Sequence, residues 1–243
     1  WRIIRINEDG SIRLIYQGET PTATGEATAI GNGVFNQEAN DNAYVGYMYG
    51  QIGSSSYATT HTNTTSSVVK KELEQWYEEN LLDYASYLAD AGFCGDRSIY
   101  SGLGYSSQVT TYAPSNRVTT TYQPQFSCPR SNDLYTTSSS SKGNKALFYP
   151  IGLITADEIM YAGGGMSSNT TYYLYTGSYY WTISPVSFGG TYTYVDRVAA
   201  GGYLSGDRVT NSYGIRPVIN LESDVTITGG SGTSSNPYVI KTT

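Results

Sequence analysis

The chain has 243 residues, with 20 acidic residues against 14 Lys and Arg, and its formal net charge is -6. The basic residues are scattered, which argues against a protein that tracks nucleic-acid phosphates, because such proteins need clustered Lys and Arg. The sequence contains no run of about eighteen apolar residues, so we expect no membrane insertion by this domain. The length suits one large domain or two small ones, and we predict a single domain over 1–243.

Tyrosine is the chief aromatic residue, with 25 Tyr against 5 Phe and 3 Trp. Tyr supplies a large contact area at low entropic cost, and Ser, Asn and Gly supply adaptable hydrogen bonds, as in binding loops. The same composition also arises in secreted β-rich proteins, where Thr and Tyr favour strands. Composition alone leaves both interpretations open.

The first 65 residues predict a β-hairpin followed by loops. Two β-branched runs flank the turn signal Asp9-Gly10, which predicts a hairpin over 1–16. The Thr-, Ala- and Gly-rich segment 18–33 predicts a loop, and the alternating segment 44–49 predicts a strand. His61 lies in a Ser/Thr-rich segment, so we expect a solvated loop histidine.

The best helix is predicted over Ser67 to Leu82, with Ser66 or Ser67 as its N-cap. Its apolar residues recur at spacings of three and four, and they are Val69, Leu73, Trp76, Tyr77 and Leu81. Its charged residues are expected to face solvent without a catalytic role, and they are Lys70, Lys71, Glu74, Glu78 and Glu79. A short helical or irregular segment is expected to follow over 83–97.

The middle of the chain offers few chemical motifs. Asp90, Asp96 and Arg97 suggest a local ion pair or an oxygen-rich metal site. Their spacing does not match the Asp-rich calcium loop, so a structural role is favoured and no metal is predicted. The segment Arg117 to Tyr122 is a candidate strand, and Ala146 to Tyr149 is another.

Cys94 and Cys128 are the only cysteines, and they lack the C-x-x-C spacing of zinc sites. In a secreted protein they would form a disulfide. The alternative is two buried free thiols. The chain opens at Trp1 without a signal peptide, so we expect a domain excised from a longer protein.

In the second half, Thr155-x-x-Glu158 is a capping box that predicts a short helix, which Gly163 ends. The segment after Glu222 predicts two strands joined by a Gly/Ser turn. Between them, the stretch from Tyr179 to Leu221 alternates apolar framework residues with large polar and aromatic ones. We predict that the latter form an exposed ligand-binding face, and they are Tyr192, Tyr194, Asp196, Arg197, Tyr203, Ser205, Asp207, Arg208, Asn211 and Tyr213.

Five segments follow one another along the chain, and they are the opening hairpin, the capped helix with Trp, IGLITADEIMYAG, YYWTISP and GIRPVINL. In the order of these segments the chain resembles a family of uncharacterised bacterial surface domains common in gut Firmicutes. YYWTISP and GIRPV are also similar to the C-type-lectin-like group. That group includes the formylglycine-generating sulfatase-modifying enzymes and the variable proteins of diversity-generating retroelements. The resemblance implies an α+β, C-type-lectin-like domain with small antiparallel sheets, two main helices and long irregular loops. In the retroelement-diversified relatives the hypervariable positions lie on the C-terminal strands and loops.

Catalytic chemistry has little support in the sequence. The copper-binding cysteine pair of the sulfatase-modifying relatives has no counterpart here, because Cys94 and Cys128 lie too far upstream. A glycosidase needs two carboxylates across a cleft, and nothing fixes the separation of Asp196 and Asp207. Trp181 is expected in the core, and Arg216 is expected to bind loop carbonyls.

These observations predict a noncatalytic, extracellular ligand-binding domain without a cofactor. Its expected partner is a protein or glycan on a host or neighbouring cell surface. The alternative is a structural spacer or assembly module of a bacterial cell-surface protein.

Overall fold

A computed structural model describes residues 1–242, which form an α+β fold of several small sheets and few helices. The strands are β1 (Arg2–Ile6), β2 (Ile12–Ile15), β3 (Asn32–Val34), β4 (Met48–Tyr49), β5 (Thr65–Ser66), β6 (Phe93–Cys94), β7 (Ile99–Gly102), β8 (Thr110–Tyr112), β9 (Leu134–Tyr135), β10 (Tyr180–Phe188), β11 (Thr193–Val198), β12 (Leu204–Arg208), β13 (Ser212–Gly214), β14 (Val218–Leu221), β15 (Ile227–Gly229) and β16 (Val239–Ile240). The α-helices are α1 (Tyr57–Thr60), α2 (Val68–Asn80), α3 (Ala113–Asn116) and α4 (Ala156–Tyr161). Short 3₁₀ turns cover Gly25–Thr28, Asn42–Val45, Leu82–Tyr87 and Ser131–Asp133.

Two sheets organise the domain. The first has the order β1-β2-β14, and Leu14 pairs with both Ile3 and Ile219. This arrangement confirms the predicted opening hairpin. The second has the order β12-β11-β10-β13-β3, with β8 also pairing β10 and β7 pairing β8. The predicted final strands β15 and β16 pair with each other. No helix within residues 1–242 is long and apolar enough to cross a membrane.

Strand β10 is the centre of the second sheet because it pairs with β8, β11 and β13. Trp181 in this strand is fully buried, and its Nε1 donates a hydrogen bond to the Gly33 carbonyl at 2.9 Å. Its ring packs edge-on against Phe35. The prediction that Trp181 belongs to the core is therefore confirmed.

Arg216 is fully buried, and its guanidinium lies 4.6 Å from the ring centroid of Tyr180 in β10. Its guanidinium donates to the Tyr16 carbonyl at 2.9 Å and to the Leu174 carbonyl at 3.4 Å. Because both acceptors are loop or strand-end carbonyls, the predicted structural role of Arg216 is confirmed.

Helix α2 follows its sequence prediction closely. The Ser67 side chain accepts a hydrogen bond from the Lys70 N–H, so Ser67 is the N-cap. Its buried apolar residues are Val69, Leu73 and Tyr77. Lys70 was expected in solvent, and that expectation is wrong. Its Nζ is buried and pairs with Glu74 Oε1 at 2.6 Å, under the ring of the exposed Phe148.

Helix α4 has the predicted capping box, in which Thr155 and Glu158 bond reciprocally. Glu158 also forms ion pairs with Arg13 at 2.6 Å and Arg5 at 3.0 Å. Burial would raise the pKa of Glu158, but the positive charges of Arg13 and Arg5 outweigh it and lower that pKa. The cap therefore also joins α4 to the first sheet.

Two predicted strands are wrong, and a third is confirmed only in part. Segment 44–49 begins as a 3₁₀ turn, and only Met48–Tyr49 is a strand. Residues Arg117–Thr121 form a π-helical turn after α3, which ends at Tyr122 in the left-handed conformation (φ 51°). Segment 146–149 makes only one bridge, between Leu147 and Thr137. A segment with strand propensity becomes a strand only where a neighbouring strand pairs with it, and here pairing is limited to Met48–Tyr49 with β5 and to the single Leu147 bridge.

The segment around Arg97 has the expected structural role. Arg97 is buried and pairs with Asp133 at 2.6 Å, while Asp96 pairs with Arg117 at 2.8 Å. Cys94 and Cys128 are joined by a disulfide with their Cα atoms 5.6 Å apart. The bridge ties β6 to the segment before Asp133.

Candidate functional site

The predicted face lies on the antiparallel hairpin formed by β11 and β12. Arg197 is opposite Ser205, and Tyr194 is opposite Arg208. Directly opposed residues share one face of a sheet, and neighbours along a strand alternate. The ten predicted residues are therefore divided between the two sides of the hairpin and the loops beside it.

On one side, Asp207 is the centre of a polar cluster. Its carboxylate accepts hydrogen bonds from Arg197 Nε at 2.9 Å, Asn211 Nδ2 at 2.8 Å and the Tyr213 hydroxyl at 2.7 Å. The backbone N–H of Arg208 donates a fourth at 2.8 Å. Burial would raise the pKa of Asp207, but these hydrogen bonds outweigh it and lower the pKa. The carboxylate is thus held ionised and in one orientation.

An aromatic pair completes this Asp207 cluster. Tyr179 stacks on Tyr213 with ring centroids 5.4 Å apart, and the Arg197 guanidinium lies 4.6 Å from the Tyr179 centroid and 5.1 Å from that of Tyr213. Tyr213 also packs edge-on against the buried Trp181. The cluster is anchored to the core on one side and reaches solvent through Tyr179, which is 40% exposed.

At the turn between β10 and β11, Tyr192 and Arg208 form an exposed stack. The Arg208 guanidinium carbon lies 3.7 Å from the Tyr192 ring centroid. The turn is closed by a hydrogen bond from the Gly189 N–H to the Tyr192 carbonyl, with Gly190 at φ 86°. Tyr194 is half-buried opposite Arg208. At an exposed site such a cation–π contact contributes about 0.5–1 kcal/mol, so it favours this arrangement of the two side chains.

Asp196 does not belong to an exposed face, and the expectation that it faces solvent is wrong. Its side chain is buried, and its Oδ2 has no hydrogen-bond partner within residues 1–242. Burial, with a further contribution from the negative charge of Asp157, raises the pKa of Asp196 to about 8. Asp157 itself is held by Arg117, whose Nε and Nη2 donate to its two carboxylate oxygens. The hairpin thus turns one carboxyl inward.

The other predicted residues occupy different depths. Arg208 and Asn211 are exposed, as is Tyr192, whereas Tyr194, Arg197, Tyr203, Ser205, Asp207 and Tyr213 are half-buried. Tyr203 lies apart from the cluster at the other end of the hairpin, where it bridges to Gly165. Sequence reasoning did not assign Tyr179 to the site. Tyr179 precedes Trp181 by two residues, and in an extended chain this spacing places both side chains on the same side. That spacing was the signal for Tyr179 that the sequence offered.

His61 is the residue whose environment differs most from expectation. It was predicted in a solvated loop, but it is buried between Tyr57 and Tyr112, and its Nε2–H donates to the Gly104 carbonyl at 2.8 Å. Burial, reinforced by the charge of Arg97, lowers the pKa of His61 to about 3. The ring is therefore neutral and acts as a packed core residue.

Residues 1–242 contain no group of three or more His, Cys, Asp or Glu side chains arranged to hold a metal ion. Comparison with protein-family models, curated proteins and solved structures found no match for this chain.

Proposed function

We propose that this chain is a noncatalytic, extracellular ligand-binding domain with a C-type-lectin-like fold. Its recognition surface is the outer part of the hairpin: the Tyr192–Arg208 stack, Tyr194, Asn211 and the exposed edge of Tyr179. The ligand is a protein or glycan on a host or neighbouring cell, and sequence diversification of this hairpin by a retroelement is part of the same proposal.

The pre-organisation of the surface is the observation that supports this proposal most directly. Tyr and Arg are the residues most enriched at binding hot spots, and here both are exposed yet restrained. The four hydrogen bonds to Asp207 hold Asn211, Tyr213 and Arg197 in place before any ligand arrives. Restraint in the free state reduces the entropy lost on binding.

The disulfide supports the extracellular part of the proposal. Disulfides persist in oxidising compartments and are rare in reducing ones. A bridge between Cys94 and Cys128 fits a domain displayed outside the cell.

The test compares the double variant Tyr192→Ala/Arg208→Ala with the control Tyr100→Ala/Lys71→Ala. The control also removes one exposed tyrosine and one exposed cation, but far from the hairpin in sequence. Both proteins are applied to a glycan array and to a screen of cell-surface proteins. We expect the hairpin variant to lose the wild-type signal by at least about tenfold while the control keeps it. Equal binding by the two variants would refute the hairpin as the recognition surface.

A further inference from the structure

An apolar groove, which we call the C-terminal groove, lies between the first sheet and the strand pair β15–β16. Its volume is about 850 Å³, and pockets for small molecules span about 300–1,000 Å³. One wall is a face of the first sheet, and the strand pair contributes Ile227, Tyr238 and Ile240 to the other wall. No residue of β11 or β12 lines the groove, so it is separate from the surface proposed above.

The sheet wall of the groove is aliphatic because of the strand register. Ile3, Leu14 and Ile219 are directly opposed across β1, β2 and β14, and Ile12 is opposite Leu221. Opposed residues, and residues two apart along a strand, share one face of a sheet, so these five side chains form one surface. The solvated face of an antiparallel sheet is ordinarily polar. An aliphatic face therefore indicates a surface that an apolar group covers.

The strand pair β15–β16 covers this surface only in part. Ile3 on the sheet wall is 42% exposed, while Ile227 and Tyr238 on the other wall are 52% and 49% exposed. Side chains that packed fully against each other across the groove would be buried. The groove therefore retains apolar surface, and a ligand that covered this surface would gain the free energy of removing it from water.

Arg2 is the only charged side chain among the described residues that line the groove. Its Nη1 donates a hydrogen bond to the Tyr173 carbonyl, and its guanidinium carbon lies 5.3 Å from the Tyr173 ring centroid. Arg2 forms no ion pair within residues 1–242. Burial, followed by the positive charges of Arg216 and Arg2, lowers the pKa of the Trp1 α-amino group, which also lies at the groove. The described lining thus offers a ligand positive charge and no carboxylate.

We propose that the C-terminal groove binds a long-chain carboxylate of the fatty-acid class. The acyl chain covers the aliphatic wall, and Arg2 binds the carboxylate through charge-assisted hydrogen bonds. The apolar walls alone would accept many apolar compounds, but Arg2 favours an anionic head group. A sugar fits less well, because it requires several converging polar groups and this lining is mainly aliphatic and aromatic.

Isothermal titration calorimetry tests the proposal with dodecanoate, decanoate and dodecyltrimethylammonium, each below its micelle concentration. Dodecyltrimethylammonium has the same chain length as dodecanoate but a cationic head group. We expect one saturable site for dodecanoate and at least about tenfold weaker binding of the cation. Decanoate lacks two methylenes and should bind roughly tenfold more weakly than dodecanoate. Equal affinity for any two of these probes, or no saturable binding of dodecanoate, would overturn the proposal.

Two pairs of variants locate the binding. Arg2→Gln should weaken dodecanoate binding about tenfold, whereas Lys241→Gln, which removes an exposed cation outside the lining, should leave it unchanged. Ile227→Asp places a negative charge in the groove and should also weaken binding. Val239→Asp makes the same change at an exposed position that does not line the groove, and it should bind normally. Equal effects within either pair would overturn the assignment.

Sedimentation velocity distinguishes a fatty acid from a second copy of the chain as the occupant. A dimer that Ile227→Asp dissociates and dodecanoate does not would assign the groove to a second copy and overturn the proposal. The hairpin variant Tyr192→Ala/Arg208→Ala should bind dodecanoate normally, because neither residue lines the groove. Failure of this proposal and failure of the hairpin proposal are therefore distinguishable.

Discussion

Two aspartates on neighbouring strands of one hairpin have opposite environments. Asp207 accepts four hydrogen bonds and reaches solvent at the surface. Asp196 is buried, and its Oδ2 has no partner within residues 1–242. The pKa of Asp207 is lowered, whereas that of Asp196 is raised to about 8. The comparison shows that one side of the hairpin holds an ionised carboxylate near the surface, whereas the other side holds a buried, neutral carboxyl.

The two sides therefore respond oppositely to pH. An unfolded Asp ionises near pH 3.9, so between about pH 4 and pH 8 the unfolded chain releases a proton that folded Asp196 keeps. Its contribution to stability is fully present below about pH 4 and is lost as pH rises through 8. The contribution of Asp207 is present above about pH 4 and is lost as pH falls through its lowered pKa.

The largest expected effect comes from neutralising the inner aspartate. Asp196→Asn should raise the free energy of unfolding at pH 8.5 by on the order of 3 kcal/mol, because the folded protein no longer holds an unpaired buried carboxyl. At pH 4 the two proteins should be nearly equal. Urea unfolding across this range measures the difference, and His61 titrates in both proteins and cancels. The exposed Asp224→Asn variant is the control, and a difference that does not vary with pH would contradict the interpretation.

Removing Asp207 should lower the free energy of unfolding, whereas Asp196→Asn should raise it. Asp207→Ala leaves the half-buried Arg197 and Tyr213 without their shared acceptor and should cost about 2 kcal/mol at pH 7. Asp207→Asn keeps the shape and one acceptor oxygen, so its cost should be smaller. Urea unfolding of both variants provides the measurement. If Asp207→Ala were as stable as wild type, the cluster would not pre-organise the surface.

A single hydrogen bond of the cluster gives the smallest effect. Tyr213→Phe keeps the ring on Trp181 and Tyr179 but removes the 2.7 Å bond to Asp207, at a cost of about 1 kcal/mol. Tyr179→Phe is the matched control, since the Tyr179 hydroxyl makes no hydrogen bond to another described residue. Thermal unfolding should separate the two variants by a few degrees. Equal melting temperatures would mean that the Tyr213 hydroxyl contributes nothing.

Features with local signals were predictable from the sequence. The caps at Ser67 and Thr155 depend on side chains within three residues, and the opening hairpin depends on Asp9-Gly10. The burial of Trp181 followed from its apolar strand context. These elements needed no knowledge of distant partners.

The remaining features depend on residues far apart in the chain. Burial of His61 requires Gly104 and Tyr112, and the environment of Asp196 requires Asp157. The sequence prediction placed all ten residues on one exposed face, whereas the register of β11 and β12 divides them between two sides of the hairpin. For this reason the sequence pattern indicated the position of the candidate surface but assigned Asp196 to it wrongly.

Closure of the first sheet has a consequence for biosynthesis. Leu14 pairs with Ile219, so β2 gains its second neighbour only after more than two hundred residues have been made. Pairing over such separations is slow, because the chain loses loop entropy before the contacts form. A ribosome or export channel would therefore release most of this polypeptide before its opening strands could close, and a product truncated before Val218 would leave one edge of β2 unpaired and prone to aggregation.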